Sequence, residues 1–498
     1  MIASYSVVVP TIGRDSLHTL IEVLTAGHGP APAEIVIVDD RPHPIPPLAV
    51  RPSARDQVRV VRSGGRGPAA ARNVGWRAAT AEWVVFVDDD VVPSPGWRIQ
   101  VDADLAGLPE EVAGSQGTVW VPLPGGRRAT DWERGTAGLA DAVWITADMA
   151  YRRTALAGSG GFDERFRRAY REDADLALRV QRAGYRLVRG GRRVAHPVRP
   201  AGFWASVRAQ VGNADDVLMR RIHGPGWRKR AHESRGRFRW HLLTTVSGVA
   251  GLAGLAGVAR SPKVSVVALA AWAGLTAEFA VARIAPGPRT ADEIARMIVT
   301  SIVIPPAAVM HRVHGLIAYR RVKPRRVPKA VLFDRDDTII RDVPYNGDPA
   351  GVEPIPGART ALDRLRRLGV KIGVVSNQSG VAKGRITIED VRRVNARVEE
   401  LLGPFDIWEI CPHERGDDCE CRKPRPGLIE RAARRLNTTA AECVVVGDIG
   451  SDVEAARAAG ARGILVPTAR TRAEEVRRAG EVAADLGAAI SMALRGPS

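Results

Sequence analysis

Cysteine is scarce in this chain of 498 residues: only four occur, and Cys411, Cys419 and Cys421 crowd beside His413 in CPHERGDDCEC. That spacing suits a metal better than a disulfide framework and predicts a reducing cytosol. The N-terminus, MIASYSVVVPTIGRD, lacks a basic segment followed by an apolar run and a small-residue cleavage site, so nothing in it predicts export. Acidic residues are in deficit, 55 against 73 Lys and Arg, and the resulting +18 predicts anionic partners such as phosphorylated metabolites, acidic lipid or nucleic acid. Stacking aromatics do not interleave with the basic clusters, so nucleic acid is not expected among those partners.

What is present is ordinary globular material, 45% apolar and 26% charged, in a chain long enough for two or three domains. From Ser4 to about Tyr185, β-branched runs such as EIVIVDD and WVVFVDDD alternate with amphipathic stretches, which predicts a doubly wound, mostly parallel α/β sheet. A second βα rhythm begins at KAVLFDRDD and runs through KIGVVSNQ, CVVVGDIG and GILVPT. The expected division is residues 1–200, a basic and apolar helical linker over 201–328, and a second Rossmann-like domain over 329–498.

In the linker, Leu242 to Ala259 carries no charge and Val264 to Ala282 is broken only by Glu278, each run close to the roughly 17 to 25 residues that cross a bilayer. A third run, Met297 to Met310, holds Pro305 and Pro306 and is expected to be too short to count. Arg220, Arg221, Arg228, Lys229, Arg230, Arg235, Arg237 and Arg239 precede the tract, and Arg320, Arg321, Lys323, Arg325, Arg326 and Lys329 follow it. Basic flanks on both sides predict both domains on the cytoplasmic side, hence an even number of crossings. A buried helical hairpin satisfies the same runs. Attachment to an anionic membrane surface through the flanks is favoured over either extreme, placing the protein in the cytoplasm, at or anchored in the inner face of the cell membrane.

Three features of the N-terminal half converge on a sugar nucleotide. Asp39 and Asp40 end a buried strand, where ligands enter such sheets. GRGPAAARNVGWRAA is a small-residue loop that puts Arg72 and Asn73 at the head of a helix, suited to anion contact. VVFVDDDVVP brings Asp88, Asp89 and Asp90 to a strand tip, where adjacent carboxylates call for a divalent cation bridging a diphosphate. Order and spacing resemble the family 2 glycosyltransferases of the GT-A fold over about residues 4–200. The resemblance implies Asp40 at the nucleobase or ribose, and Asp88 and Asp90 at Mg²⁺ or Mn²⁺. Within GGFDERFRRAYREDADLALRVQRAGY, Glu172 and Asp173 match the family's acceptor-side pair, with Asp173 expected as general base and Glu172 orienting it. His196 falls where many relatives add a metal ligand, and Asp148 where relatives more commonly have Asn.

AVLFDRDDTII sets Asp334 and Asp336 on either side of Arg335 just after a buried strand. Asp334 is expected to attack phosphorus, and Asp336 to protonate the leaving oxygen and then activate water. Asp448, in VVVGDIGSD, completes a Mg²⁺ site with Asp334 and the main-chain carbonyl of Asp336, while Asp452 supports the loop. Ser376 and Asn377 in VVSNQSG and Lys423 in CRKPRPG supply donors and a fixed positive charge for the phosphoryl group. These motifs resemble the haloacid dehalogenase superfamily over about residues 329–485. Cys411, His413, Cys419 and Cys421 form a closed Cys₃His set, read as structural Zn²⁺. The set resembles that of the D-glycero-D-manno-heptose 1,7-bisphosphate and histidinol-phosphate phosphatases, which implies Arg422 and Lys423 as substrate-phosphate contacts. Asp337 replaces the usual Gly of that motif, and Ile449 stands where many heptose-bisphosphate enzymes have Lys.

The expectation is a bifunctional enzyme acting on a nucleotide-sugar donor, a glycan or lipid-linked acceptor, and a sugar phosphate. Two other readings are a polynucleotide-end phosphatase and a scaffold with one inactive domain.

Overall fold

A computed structural model describes residues 2–48, 57–256, 262–322, 324 and 327–495. Arg260, Lys323, Arg325 and Arg326, and the end of the first apolar run, lie outside the described residues. Contacts group the chain into two compact units. One comprises Met1–Arg153, Phe162–Leu178 and Leu187–Pro324; the other comprises Thr154–Gly161, Arg179–Arg186 and Arg325–Ser498.

The first unit is built on strands β1 (Tyr5–Thr11), β2 (Glu34–Asp39), β3 (Val58–Arg62), β4 (Trp83–Val87), β5 (Val92–Pro93), β6 (Val112–Trp120), β7 (Asp148–Arg152) and β8 (Arg186–Ala195). Their order is β3-β2-β1-β4-β7-β6-β8-β5. The first four run parallel, whereas β7 lies antiparallel to both β4 and β6. β2 and β4 are almost wholly buried, as strands covered on both faces must be, and this is why they read as unbroken apolar runs. β2 ends in Asp39, and β4 stops just before Asp88. The helix Pro68–Ala78 starts from Gly67, whose φ of +95° suits glycine, and it lies close on β1 because any side chain at Gly75 would collide with Val8.

Three helices follow, Phe238–Leu255, Pro262–Ile284 and Ala291–Ala318, packed on one another. The third apolar run is not short: it sits inside a 28-residue helix that carries Pro305 and Pro306 in its interior. Among the described residues, Pro262–Ile284 and Ala291–Ala318 are the helices long and apolar enough to cross a membrane, while Phe238–Leu255, expected as one of the pair, is not. Ala291–Ala318 also packs against the helices Ala205–Arg208 and Gly212–His223.

The second unit carries a five-stranded parallel sheet in the order β11-β10-β9-β12-β13, formed by β9 (Ala330–Phe333), β10 (Lys371–Asn377), β11 (Ile407–Cys411), β12 (Cys443–Gly447) and β13 (Arg462–Leu465). Phe333 at the end of central β9 is in register with Val374 and Val446. Asp334 and Asp448, just past β9 and β12, and Ser376, near the end of β10, therefore lie along one edge of the sheet.

Candidate active sites

A cleft of about 510 Å³ opens at the tips of β1, β2 and β4, and its lining includes Thr11, Asp40, Arg72, Asp88, Asp90 and His196. The register that pairs Val8 with Phe86 carries Thr11 alongside Asp89, whose carboxylate accepts the Thr11 hydroxyl at 2.6 Å and an ion pair from Arg14. Asp89 is thereby 1% exposed. Asp88 and Asp90, on either side of it, offer ligand atoms within 4.8 Å of each other and of His196. Two carboxylates and an imidazole suit a divalent cation, and Arg199 reaches Asp90 as an ion pair.

Arg72 is the hub of this site. From the buried face of its helix it donates to Asp88 Oδ1 at 2.9 Å and to Glu172 Oε1 at 2.8 Å, and lies 3.8 Å from Asp173. Burial, then the charge of Asp173, pushes the Glu172 carboxyl up to about 8 against the pull of Arg72. Burial also raises Asp173, opposed by Arg72 and by Thr146, whose N–H and hydroxyl donate to the two carboxylate oxygens at 3.0 and 2.9 Å. The Asp173 side chain keeps 19% exposure against 2% for Glu172, so Asp173 is the more accessible of the two.

Three expectations change here. Asn73 does not face a ligand: its amide donates to Phe162 O and Glu164 Oε1, both at 2.9 Å, and its oxygen accepts from Trp76 Nε1 and Phe162 N. All four of its hydrogen-bonding positions serve the chain. Asp39 is held by Arg41 at 2.7 Å. Asp40 lines the cleft, yet its oxygens accept from Ser63 Oγ, Arg66 N and Gly67 N at 2.6 to 3.0 Å, so it shapes the loop before Arg72. Asp148 is fully buried against Arg192 at 2.6 Å and Trp97 Nε1 at 2.9 Å, a pairing that accounts for a charged residue at that position.

In the second unit, Asp334, Asp448 and Asp452 offer oxygens within 4.8 Å of one another, all buried. Lys423 reaches Asp334 Oδ1 at 2.5 Å, Asp452 Oδ1 at 2.6 Å and the Val375 carbonyl at 2.8 Å. Burial, followed by neighbouring carboxylates, pushes Asp334 up to about 7 and Asp448 up to about 8. Three carboxylates around one ammonium leave net negative charge in a dry site, and a Mg²⁺ ion fits it. The Asp336 carboxylate stands apart from this cluster: Arg335 holds it at 3.0 and 3.1 Å, and Gln378 donates to it at 2.8 Å while also donating to Ser376 Oγ at 2.9 Å. Sequence reasoning missed Gln378, two residues beyond Ser376 in the same motif, and gave Asp452 only a supporting part although it follows Asp448 by one helical turn. Asn377, expected at the substrate, exchanges hydrogen bonds of 3.1 and 3.2 Å with the Lys423 main chain.

Cys411, His413, Cys419 and Cys421 also gather within 4.8 Å. Cys411 Sγ is 3.7 Å from Cys419 Sγ and 3.4 Å from Cys421 Sγ, and His413 Nδ1 is 3.6 and 3.3 Å from Cys411 and Cys421. Zinc–sulfur bonds of about 2.3 Å put tetrahedral corners about 3.8 Å apart, so the set fits Zn²⁺ after a small expansion. Arg422 donates to the His413 carbonyl at 3.0 Å, which ties the loop to the residue beside Lys423. Ile449, 37% exposed, donates its N–H to Asp452 Oδ2 at 3.3 Å.

Comparison with known proteins agrees with this division. The glycosyl transferase family 2 model matches residues 6–105, and the HAD-hydrolase-like model matches residues 420–489. D-glycero-beta-D-manno-heptose-1,7-bisphosphate 7-phosphatase of Neisseria meningitidis is 33% identical over 150 residues, 28% of this chain and 79% of its own length. The protein of the same name from Mesorhizobium japonicum is 39% identical over 158 residues, 29% of this chain and 72% of its own. D-glycero-alpha-D-manno-heptose-1,7-bisphosphate 7-phosphatase of Mycobacterium tuberculosis is 37% identical over 133 residues, 25% of this chain and 70% of its own.

Proposed function

Because the chain belongs through its C-terminal third to the HAD-like heptose-bisphosphate phosphatase family and carries a glycosyl transferase family 2 domain near its N-terminus, we propose that it is a bifunctional enzyme. The transferase occupies residues 1–200 and the phosphatase 329–498, with the helical segment 201–328 holding the protein at the anionic inner face of the cell membrane. The observation that carries the phosphatase reading is the convergence of Asp334, Asp448, Asp452 and Lys423 on one sheet edge.

In that reading a carboxylate oxygen of Asp334 attacks the phosphorus of a heptose-bisphosphate-like substrate. The P–O bond to the sugar breaks, and Asp336 gives its proton to the departing oxygen. Asp336, aimed by Arg335 and Gln378, then takes a proton from water, whose oxygen attacks the aspartyl-phosphate to release inorganic phosphate and restore Asp334. Lys423 and Ser376 offset charge on the phosphoryl oxygens. Bound Mg²⁺ at Asp334, Asp448 and Asp452 supplies Lewis-acid charge for the same group. A zinc ion held by the Cys₃His set would be structural, because a closed four-ligand set leaves no position for chemistry. In the transferase, Asp173 accepts the proton of the acceptor hydroxyl as its oxygen displaces the nucleoside diphosphate from the sugar. Asp88 and Asp90 would hold a divalent cation, which would offset the charge of the departing diphosphate.

The test is phosphate release by the full chain with Mg²⁺ from the alpha and beta anomers of heptose 1,7-bisphosphate, from histidinol phosphate and from a polynucleotide 3′ phosphate. Release from a heptose bisphosphate that Asp334→Asn abolishes is the expected result. Release from the polynucleotide alone, or release surviving in Asp334→Asn, removes this assignment. Nucleotide-sugar hydrolysis by wild type and by Asp88→Asn tests the transferase separately.

A further inference from the structure

Apart from both sites, the first unit holds a second cleft of about 710 Å³ where the helices Gly212–His223, Phe238–Leu255 and Ala291–Ala318 meet. Its wall is divided by chemistry. Val217, Phe238, Leu242, Val313 and Leu316 make an apolar floor, and the guanidinium side chains of Arg220, Arg221 and Arg312 are the charged groups of its lining. Arg220 and Arg221 are exposed and have no acidic partner among the described residues. Arg312 lies over the Phe238 ring, 4.8 Å from its centroid, and comes no nearer than 3.9 Å to Asp216. That carboxylate is already taken by Arg171 at 3.0 Å and by Arg228. The mouth therefore carries positive charge that the protein does not neutralise.

We propose that this cleft binds one amphiphile, a hydrocarbon chain ending in a phosphate, and that it anchors the lipid-phosphate part of the transferase acceptor. A free phosphate has no use for the apolar floor, and an apolar ligand alone has none for three arginines, whose planar guanidinium forks suit two oxygens of a phosphate. The tail has somewhere to continue, since Leu242, Leu243, Met310, Val313, Leu316 and Ile317 expose apolar surface on the same helices. The link to chemistry is Asp216, because it pairs with Arg171, the residue immediately before Glu172, while Arg312 of the cleft approaches the same carboxylate. Arg171 itself sits at a φ of +76°, a left-handed conformation uncommon outside glycine, so the acceptor-side helix begins from a backbone that this ion-pair network holds in place.

The proposal rests on the transferase reading, and the experiment keeps the two apart. Full-length protein is dialysed to equilibrium against radiolabelled farnesyl phosphate below its micelle-forming concentration, with farnesol and inorganic phosphate in parallel. Farnesyl phosphate is expected to bind at least about tenfold more tightly than either, a difference two charge-assisted hydrogen bonds readily supply. The double variant Arg220→Gln, Arg221→Gln lies on the surface and should lose about tenfold for farnesyl phosphate and nothing for farnesol. Val313→Trp, which fills the floor, should weaken both, and a wild-type thermal melt followed by tryptophan fluorescence reports that each variant is folded. Equal binding of farnesyl phosphate and farnesol, or indifference to the arginine pair, overturns the proposal. So does a result in which phosphatidylglycerol vesicles, but not farnesyl phosphate, respond to the arginine substitutions, since those residues would then face a bilayer. Failure of the transferase reading appears separately, as absence of a thermal shift with nucleotide sugars.

Discussion

Arg72 and Glu172 are 100 positions apart in sequence and 2.8 Å apart in space, and both are almost completely buried. One guanidinium thus joins Asp88, just past the tip of β4, to the Glu172–Asp173 pair. Removing one partner of such a pair strands the other charge in a dry site. Arg72→Leu is expected to lower the stability of the unit by about 3 to 5 kcal/mol above pH 8, where Glu172 is ionised, and by less at lower pH, where Glu172 takes up a proton. Denaturant unfolding followed by tryptophan fluorescence measures it, and a loss below about 1 kcal/mol would mean that water reaches Glu172.

The same glutamate makes stability depend on pH. Its folded value, about 8, lies above the ordinary carboxylate value, so the folded state favours the protonated form. The stabilisation is complete below the ordinary value near 4.5 and is lost as pH rises toward 8. Without nucleotide or metal, the melting temperature of the wild type should fall across that window, and Glu172→Gln should flatten the decline. A parallel decline in both proteins would assign the effect to another group.

Zinc makes a sharper forecast. Burial and the adjacent thiols push the Cys411 thiol up to about 12, so it becomes a thiolate at neutral pH only if a cation takes the proton's place. Elemental analysis should find one zinc per chain in the wild type and much less in Cys421→Ser. Chelation should lower the melting temperature and, by loosening Lys423, reduce phosphate release. Unchanged activity in zinc-free protein would separate the loop from the phosphatase centre.

Asp337 adopts a φ of +53° and accepts the Asp342 N–H at 3.0 Å. Glycine relieves the backbone cost of roughly 1 kcal/mol but loses that hydrogen bond and gains unfolded-state freedom, so Asp337→Gly should change stability by less than about 1 kcal/mol. Asp337→Val should cost about 1 to 3 kcal/mol, because a β-branched residue resists the left-handed region. Thermal melts of the two variants distinguish these outcomes.

Buried β-branched runs that end in carboxylates were legible without coordinates, because a strand covered on both faces must be continuously apolar and its polar residues can begin only where it leaves the sheet. The Cys₃His set was legible for a similar local reason, with four ligands within eleven residues. The resemblance singled out Asp88 and Asp90 from their run, but the partners that direct each carboxylate were not legible. Asp89 turns to Thr11 and Arg14 while Asp88 and Asp90 stay with His196, and Asp452 rather than the Asp336 side chain joins Asp334 and Asp448. Asn73 likewise looked like an anion contact until Phe162, Glu164 and Trp76 were seen to occupy it. Chain order by itself determined where the acidic groups leave the two sheets. Their direction was decided only in three dimensions, because a side chain beyond a strand end points according to the turn that follows and to partners that can lie tens of residues away.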